Sequence, residues 1–246
     1  MKFLYSFILA FLLLAGCAAP AAESARAVQP VQVKPLRVLM LGGGNSHDFK
    51  RWYGDTDSTT LRELEGVTVS YTEDVDSIVP QLAATDVLCI ANNKPFTQAA
   101  TRQAIMDFAN QGKGIVLLHA GMWYSWRDWP EFNRVLVGGG SRGHDQIHEF
   151  TVTITDPAHP IMKGLPITFL AADELYNQEI DPAGTPIHPL ATSFSTLKNK
   201  AFGSVFIVEH PKAKIVGIAL GHDGRVHDLA PYKQLLKNSV EWAGGR

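Results

Sequence analysis

The 246-residue sequence has only two cysteines. That is too few for a disulfide framework or a cysteine-built zinc site. Cys17 falls in an N-terminal leader, so Cys89 is the one thiol left in the folded part and no intramolecular disulfide can form there. Cys89 sits in the apolar run DVLCIAN and reads as a buried structural residue. Charge in excess is also missing: 22 basic against 24 acidic residues give a formal net charge of -2. No basic footprint calls for a nucleic-acid partner, and none is expected. No internal repeat is visible. The glycine-rich GGGNSHD, residues 42–48, lacks both the G-x-G-x-x-G spacing and a Walker lysine, so it reads as a tight turn and not a phosphate cradle.

What is present begins with MKFLYSFILAFLLLAGC, a lysine followed by an apolar run and small residues. This is a secretory signal. LAGC at residues 14–17 is similar to a bacterial lipobox, which implies cleavage before Cys17 and lipidation there. The expected product is exported and held at the cell envelope, facing the periplasm, with the lipid as its only membrane contact. Residues 1–16 are then the signal and 17–35, rich in Ala and Pro, a flexible tether. One domain is expected over 36–246.

That domain alternates. LRVLMLGGG, VTVSYTED, DVLCIANN and GIVLLHAG read as strands, the first, third and fourth being buried parallel-type runs. STTLRELEG reads as the end of a helix. TQAATRQAIMDFANQG places Ala100, Ile105 and Phe108 near one helical face. Strands alternating with helices predict an α/β fold with a parallel sheet covered on both faces. Residues 122–147, with three tryptophans and GGGSRGHD, read as a long irregular insertion. HEFTVTITD then alternates, with His148, Phe150, Val152 and Ile154 on one face. SVFIVEH and KIVGIALGHD read as paired strands turning at Pro211–Ala213, and PYKQLLKNSVEWAGG as a closing amphipathic helix with Pro231 near its start.

Polar residues gather at the carboxyl ends of these strands, where open α/β sheets bind ligands. Asn45 and His47 follow the first; Asn92, Asn93 and Lys94 the third; His119 the fourth; His222 and Asp223 the last. His119 occupies the position where a strand-to-helix elbow would carry a nucleophile. His144 and His148 are four apart but not on a helix, so they do not form a helical zinc pair. The adjacent Asp173 and Glu174 point to opposite sides if extended. His159, His188, His210 and His227 read as structural or exposed.

GKGIVLLHAG, GHDQIHEFTVTITDPAHPIMKGLP, DELYN and ALGHD followed by PYKQLLKNSVEWAGG occur in an order that resembles the ThuA-like (trehalose-utilisation) family. The resemblance runs from Leu36 to Arg246. It implies a flavodoxin-like three-layer α/β/α sandwich of the class I glutamine-amidotransferase-like type, with a mostly parallel sheet. It also implies a role in carbohydrate metabolism through 3-keto intermediates. The matching positions are His119, Gly121, His144, Asp173, Glu174, Tyr176, Gly221 and His222. Lys214 and His210 depart from the family pattern, which has arginine and tyrosine there. The amidotransferase reaction itself is excluded, because His119 stands in place of the cysteine and imidazole makes a poor acyl-enzyme.

Three kinds of protein stay open. The first is an enzyme on a sugar or 3-keto-glycoside. His119, His144, His222, Glu174 and Asp173 would supply acid–base catalysis, or His119, His144, Glu174 and His222 would hold a divalent metal. Asn45, His47, Asn92, Gly121, Trp123, Trp126, Tyr176 and Asp223 would contact the carbohydrate, the aromatics by stacking. The second is a sugar-binding lipoprotein without catalysis. The third is an interaction module using the tryptophan loop.

Overall fold

The computed structural model describes residues 33–123 and 128–246. The expected signal, Cys17, nearly all of the tether and Trp126 lie outside the described residues.

Five strands form the parallel core: β1 Leu36–Leu41, β2 Val67–Thr72, β3 Val87–Ile90, β4 Gly114–Leu118 and β11 Ile215–Ile218, in the order β2-β1-β3-β4-β11. β3, β4 and β11 are buried throughout, which only apolar runs tolerate when both sheet faces are covered. Alternate residues of β1 divide between the layers. Val38 and Met40 join the cluster holding Leu235, Leu236 and Val240 of helix α6 (Ala230–Ala243). Leu39 and Leu41 join that of Ile105 and Phe108 of helix α3 (Ala99–Asn110). This period-two split makes three layers. Cys89 is fully buried in β3. The face of α3 is Thr101, Ile105, Met106, Phe108 and Ala109; Ala100, expected on it, is exposed because it lies off that stripe in the first turn.

The sheet does not stop at β11. β10 Lys200–Val208, β9 Ile187–Ser195, β6 His148–Ile154 and β7 Thr168–Asp173 extend it, every pair antiparallel. The parallel core matches the expected fold, and this mixed extension is what the family-based picture of a mostly parallel sheet leaves out. The turn between β10 and β11 falls where expected; His210 Nδ1 accepts there from the N–H groups of Lys212 and Ala213. β6 alternates with Phe150, Val152 and Ile154 buried. His148, expected beside them, is exposed at the strand's start, its Nδ1 2.8 Å from the Gln146 carbonyl.

Within the expected irregular insertion 122–147, the described residues 128–147 are more regular than expected. A short helix, α4 (Pro130–Phe132), and a π-turn, Asn133–Val137, lead into β5 (Gly139–His144), which pairs antiparallel with β8 (Tyr176–Ile180). A strand of glycines carries no hydrophobic alternation, so periodicity could not reveal it. The glycines are needed because the backbones approach closely: a Cβ on Gly139 would run into the Glu179 carbonyl oxygen. Gly139 also has φ +149°, which L side chains rarely adopt.

Gly139→Ala should therefore lower stability by about 1–3 kcal/mol or more, combining overpacking with backbone strain. Gly164→Ala has φ +78° but open space around it and should cost only the strain, roughly 1–2 kcal/mol. Urea unfolding of both variants checks the difference.

Candidate active site

Four strand ends meet at one edge of the sheet. His47 follows β1, His119 follows β4 and His222 follows β11. Glu174 follows β7, four antiparallel steps from β11. Four reversals restore the original direction, so the carboxyl end of β7 faces the same way as those of the core.

His119 opens a 3-10 turn (His119–Met122) with φ +40°, a left-handed backbone unusual for a residue with a Cβ. The turn is tight because Gly121 lies against the backbone of Ile90, where a Cβ would collide with the carbonyl oxygen. Gly121 thus serves packing and does not reach the cleft. The fully buried His119 ring is fixed twice. Its Nδ1 lies 2.6 Å from the Ala219 carbonyl, and its face stacks on Tyr176 with centroids 4.2 Å apart. A carbonyl can only accept, so Nδ1 carries a proton, and Nε2 is turned to the other side of the ring.

Nε2 points into the cluster. Glu174 Oε2 is 3.4 Å from His119 Nε2 and 3.2 Å from His222 Nδ1. Glu174 Oε1 is 3.6 Å from His144 Nδ1. His47 packs edge-on against both His119 and His222, at 4.8 and 4.7 Å between centroids. The contacts to Glu174 are close enough for charge attraction but out of line for hydrogen bonds. His47 Nε2, His119 Nε2 and His222 Nδ1 are consequently buried nitrogens without a hydrogen-bond partner among the described residues. Above them lies a cleft of about 230 Å³, lined by Ser46, His47, Trp123, His144, Tyr176 and His222 among others. It is smaller than the roughly 300–1,000 Å³ of sites for drug-sized ligands and suits one small polar ring.

The electrostatics follow from crowding. Burial works to raise the Glu174 pKa, but His119 and His222 outweigh it and hold the carboxyl well below the usual carboxylate range. Contact with Glu174 raises His222 against a smaller burial effect. His47 goes the other way: burial, then the neighbouring His119 and His222, push it down to about 3, so it is neutral.

Asp173 is fully buried, and burial raises its pKa. Its oxygens accept from the backbone N–H groups of Glu174 (2.8 Å), Gly221 (2.7 Å) and His222 (3.1 Å). It positions the site from beneath and does not line the cleft. Asp223 pairs with Arg225 and caps helix α5 (Gly224–His227), with a pKa near 2 set first by Arg225. Asn92 is buried and donates to the Lys94 carbonyl at 3.0 Å. Asn45 is exposed. None of these three lines the cleft, whereas Trp123 and Tyr176 do. Lys214 stacks on Trp242, away from the site. His47, expected to contact substrate from the end of the first strand, does face the cleft, and its packing against His119 and His222 is what the sequence did not show.

Reasoning from sequence also missed what holds the His222 loop. His227 is fully buried, with Nδ1 2.7 Å from Asp57 Oδ1 and Nε2 3.0 Å from the Gly221 carbonyl. Tyr53 and Tyr232 donate to the Gly221 carbonyl and to Asp57 at 2.7 and 3.0 Å. Both ring nitrogens of His227 face acceptors, so the imidazolium satisfies them best. Burial alone would lower the His227 pKa; the Asp57 charge and these hydrogen bonds overcome it and raise it.

A parallel core covered on both faces, with polar side chains gathered at the carboxyl ends of its strands, defines an α/β protein with its site at that edge, consistent with a class I glutamine-amidotransferase-like fold. The chain matches the ThuA family model, described as trehalose utilisation, over residues 37–243, and it belongs to that family. A ThuA-like protein from Parabacteroides merdae superposes with a TM-score of 0.73 at 22% identity, covering 86% of this chain and 91% of that one. A second, from Bacteroides uniformis, gives 0.71 at 20% identity, covering 87% and 95%. A GMP synthase-type protein from Thermoplasma acidophilum gives 0.54 at 14%, covering 85% and 94%, a likeness of fold. Among curated proteins none is significantly similar to the chain.

Asp57→Asn would leave a buried imidazolium unpaired and should destabilise by about 3–5 kcal/mol in urea unfolding. Because the folded pKa of His227 is raised, its contribution is complete below its unfolded value of about 6.5. It is lost as pH rises through the folded value. His227→Gln should be less stable than wild type at pH 6, with the gap narrowing in alkaline buffer.

Proposed function

We propose that this ThuA-family protein is an enzyme acting on a 3-keto-glycoside or related keto-sugar. The observation that carries the reading is the convergence of His47, His119, His222 and Glu174 on the floor of a small cleft walled by Trp123 and Tyr176. Aromatic walls suit the apolar face of a sugar ring, and an inward imidazole that carries its proton, as His222 is favoured to beside Glu174, presents an N–H to a carbonyl oxygen. The family's description, trehalose utilisation, supports the substrate class.

A ketone acidifies the hydrogen on the neighbouring carbon. His144 stands at the rim, its side chain 34% exposed, with Glu174 Oε1 3.6 Å from its Nδ1. It is the imidazole outside the floor that can reach a substrate's C–H. In the proposed step His144 takes that proton, the C–H electrons form the enolate, and the floor stabilises the charge on oxygen. The enolate then either expels the glycosidic oxygen on the carbon β to the carbonyl, which leaves with the proton returned by the His144 imidazolium, or takes a proton from water on its other face while His144 releases its own to solvent, giving lyase or epimerase chemistry. The residues LAGC support a further reading, that Cys17 anchors the domain in the cell envelope.

Incubation of the protein with 3-keto-glycosides in deuterated buffer should exchange the hydrogen beside the carbonyl, whereas the parent sugars stay unlabelled. His144→Ala should slow exchange by about 10²–10⁴-fold while ligand binding persists. Binding of the keto-sugar with neither exchange nor turnover would overturn the catalytic reading in favour of a sugar-binding protein.

A further inference from the structure

We infer that His47, His119, His222 and Glu174 hold one divalent first-row transition-metal ion, and that His144 is not among its ligands. One donor atom from each of the four lies within 4.8 Å of all the others. Tetrahedral donors at about 2.1 Å from one ion lie roughly 3.4 Å apart. The widest pair therefore needs to close by about 1.4 Å, within the reach of side-chain rotations of the partly exposed His47, Glu174 and His222.

Three facts separate this cluster from an ordinary polar core. His47 Nε2, His119 Nε2 and His222 Nδ1 are all buried and all lack a hydrogen-bond partner among the described residues. A single orphaned buried nitrogen is a cost that a fold can carry; three aimed at one another and at a carboxylate call for a common partner. The outer hydrogen bonding is also that of ligands. His119 donates its other N–H to the Ala219 carbonyl at 2.6 Å, and His47 Nδ1 is 2.6 Å from Ser46 Oγ, which can accept from it. Ser46 Oγ is in turn held by Asn93 Nδ2 at 2.5 Å, and Asp173 receives the backbone N–H groups of Glu174 and His222. Finally, three imidazoles and one carboxylate make an N₃O set. Imidazole suits zinc, iron, nickel and copper, whereas magnesium and calcium take oxygen ligands.

His144 Nδ1 is turned to the Asp145 carbonyl at 3.0 Å, which leaves this histidine at the rim. The expectation that His144 would be a ligand is thus replaced by His47. The cleft opens beside the four donors, so a bound ion keeps a side open to a substrate oxygen, as catalytic sites do. How such an ion would serve turnover rests on the function proposed above; whether it binds does not.

The test reads metal and not activity. Protein stripped with chelator should take up about one equivalent of Zn²⁺ in equilibrium dialysis with elemental analysis. Its melting temperature should rise with Zn²⁺ concentration, and Co²⁺ should give visible ligand-field absorption. His47→Ala and Glu174→Gln should lose most of the bound metal, and His144→Ala should retain it. His47 and Glu174 are partly exposed, and circular dichroism checks that both variants are folded. A folded stripped protein indifferent to Zn²⁺, Mn²⁺ and Co²⁺ overturns the inference, as does metal lost with His144→Ala and kept with His47→Ala. Failure to turn over keto-sugars by a protein that binds the ion would sink the proposed function alone.

Discussion

A buried carboxylate given three N–H donors in return joins the two halves of the sheet. Asp173 ends β7 in the antiparallel extension, and two of its hydrogen bonds go to Gly221 and His222, just past β11 in the parallel core. The third goes to Glu174, its own neighbour. One side chain thereby fixes the backbone of two cluster members that are 48 residues apart in the chain, the span between Asp173 and Gly221 being covered by β8, β9, β10 and β11. In the ladder the edge strand β7 pairs with β6 alone, and the tie adds to its packing against α5 and the core. Edge elements are the ones that open most readily. The Asp57–His227 pair secures the same loop from the other side, through the Gly221 carbonyl. The Gly221 peptide neighbourhood is thus clamped at its N–H and its C=O by groups that never touch the cleft.

The cluster above is built at the expense of stability. His119 sits at φ +40°, three ring nitrogens go without partners, and a carboxylate is held among four histidines. Strain and unmet polar groups of this kind persist only where the surroundings over-determine them. Here the surroundings are closely packed: β3, β4 and β11 are fully buried, and Tyr53, Tyr232 and Phe206 are among the largest fully buried side chains. The packed core and the strained edge are two aspects of one arrangement, since the edge is where the buried strands end.

Periodicity and position made much of this legible. The apolar runs of β1, β3 and β4, the helix α3 and the closing helix α6 follow from patterns that burial on both sheet faces imposes. The polar edge follows because polar residues collect where such strands end, although Asn45, Asn92 and Asp223 there turn to other partners or to solvent. Other parts were invisible for physical reasons. β5 is a strand of glycines whose reason to exist is the closeness of β8, a fact about three dimensions. The direction of β7 depends on counting reversals through β10, β9 and β6, and no local pattern records it. His47 and His144 look alike in sequence; which of them turns inward depends on Ser46, Asn93 and the Asp145 carbonyl. His227 reads as structural, yet only its partner Asp57, 170 residues away, shows what it supports.

His119 shows why the same fold position can change its chemistry. A strand-to-helix elbow lifts one side chain above the sheet and exposes it to substrate, which suits a nucleophile that must advance on a carbon. His119 cannot advance. Its Nδ1 is tied to the Ala219 carbonyl, its ring is pinned on Tyr176, and it has no exposed surface. What it offers is one ring nitrogen with a fixed direction, aimed at Glu174 and ringed by two more imidazoles. A fixed direction suits a group that holds a partner in place and is the opposite of what covalent attack requires. In this fold position, precision of aim is what the tied imidazole retains.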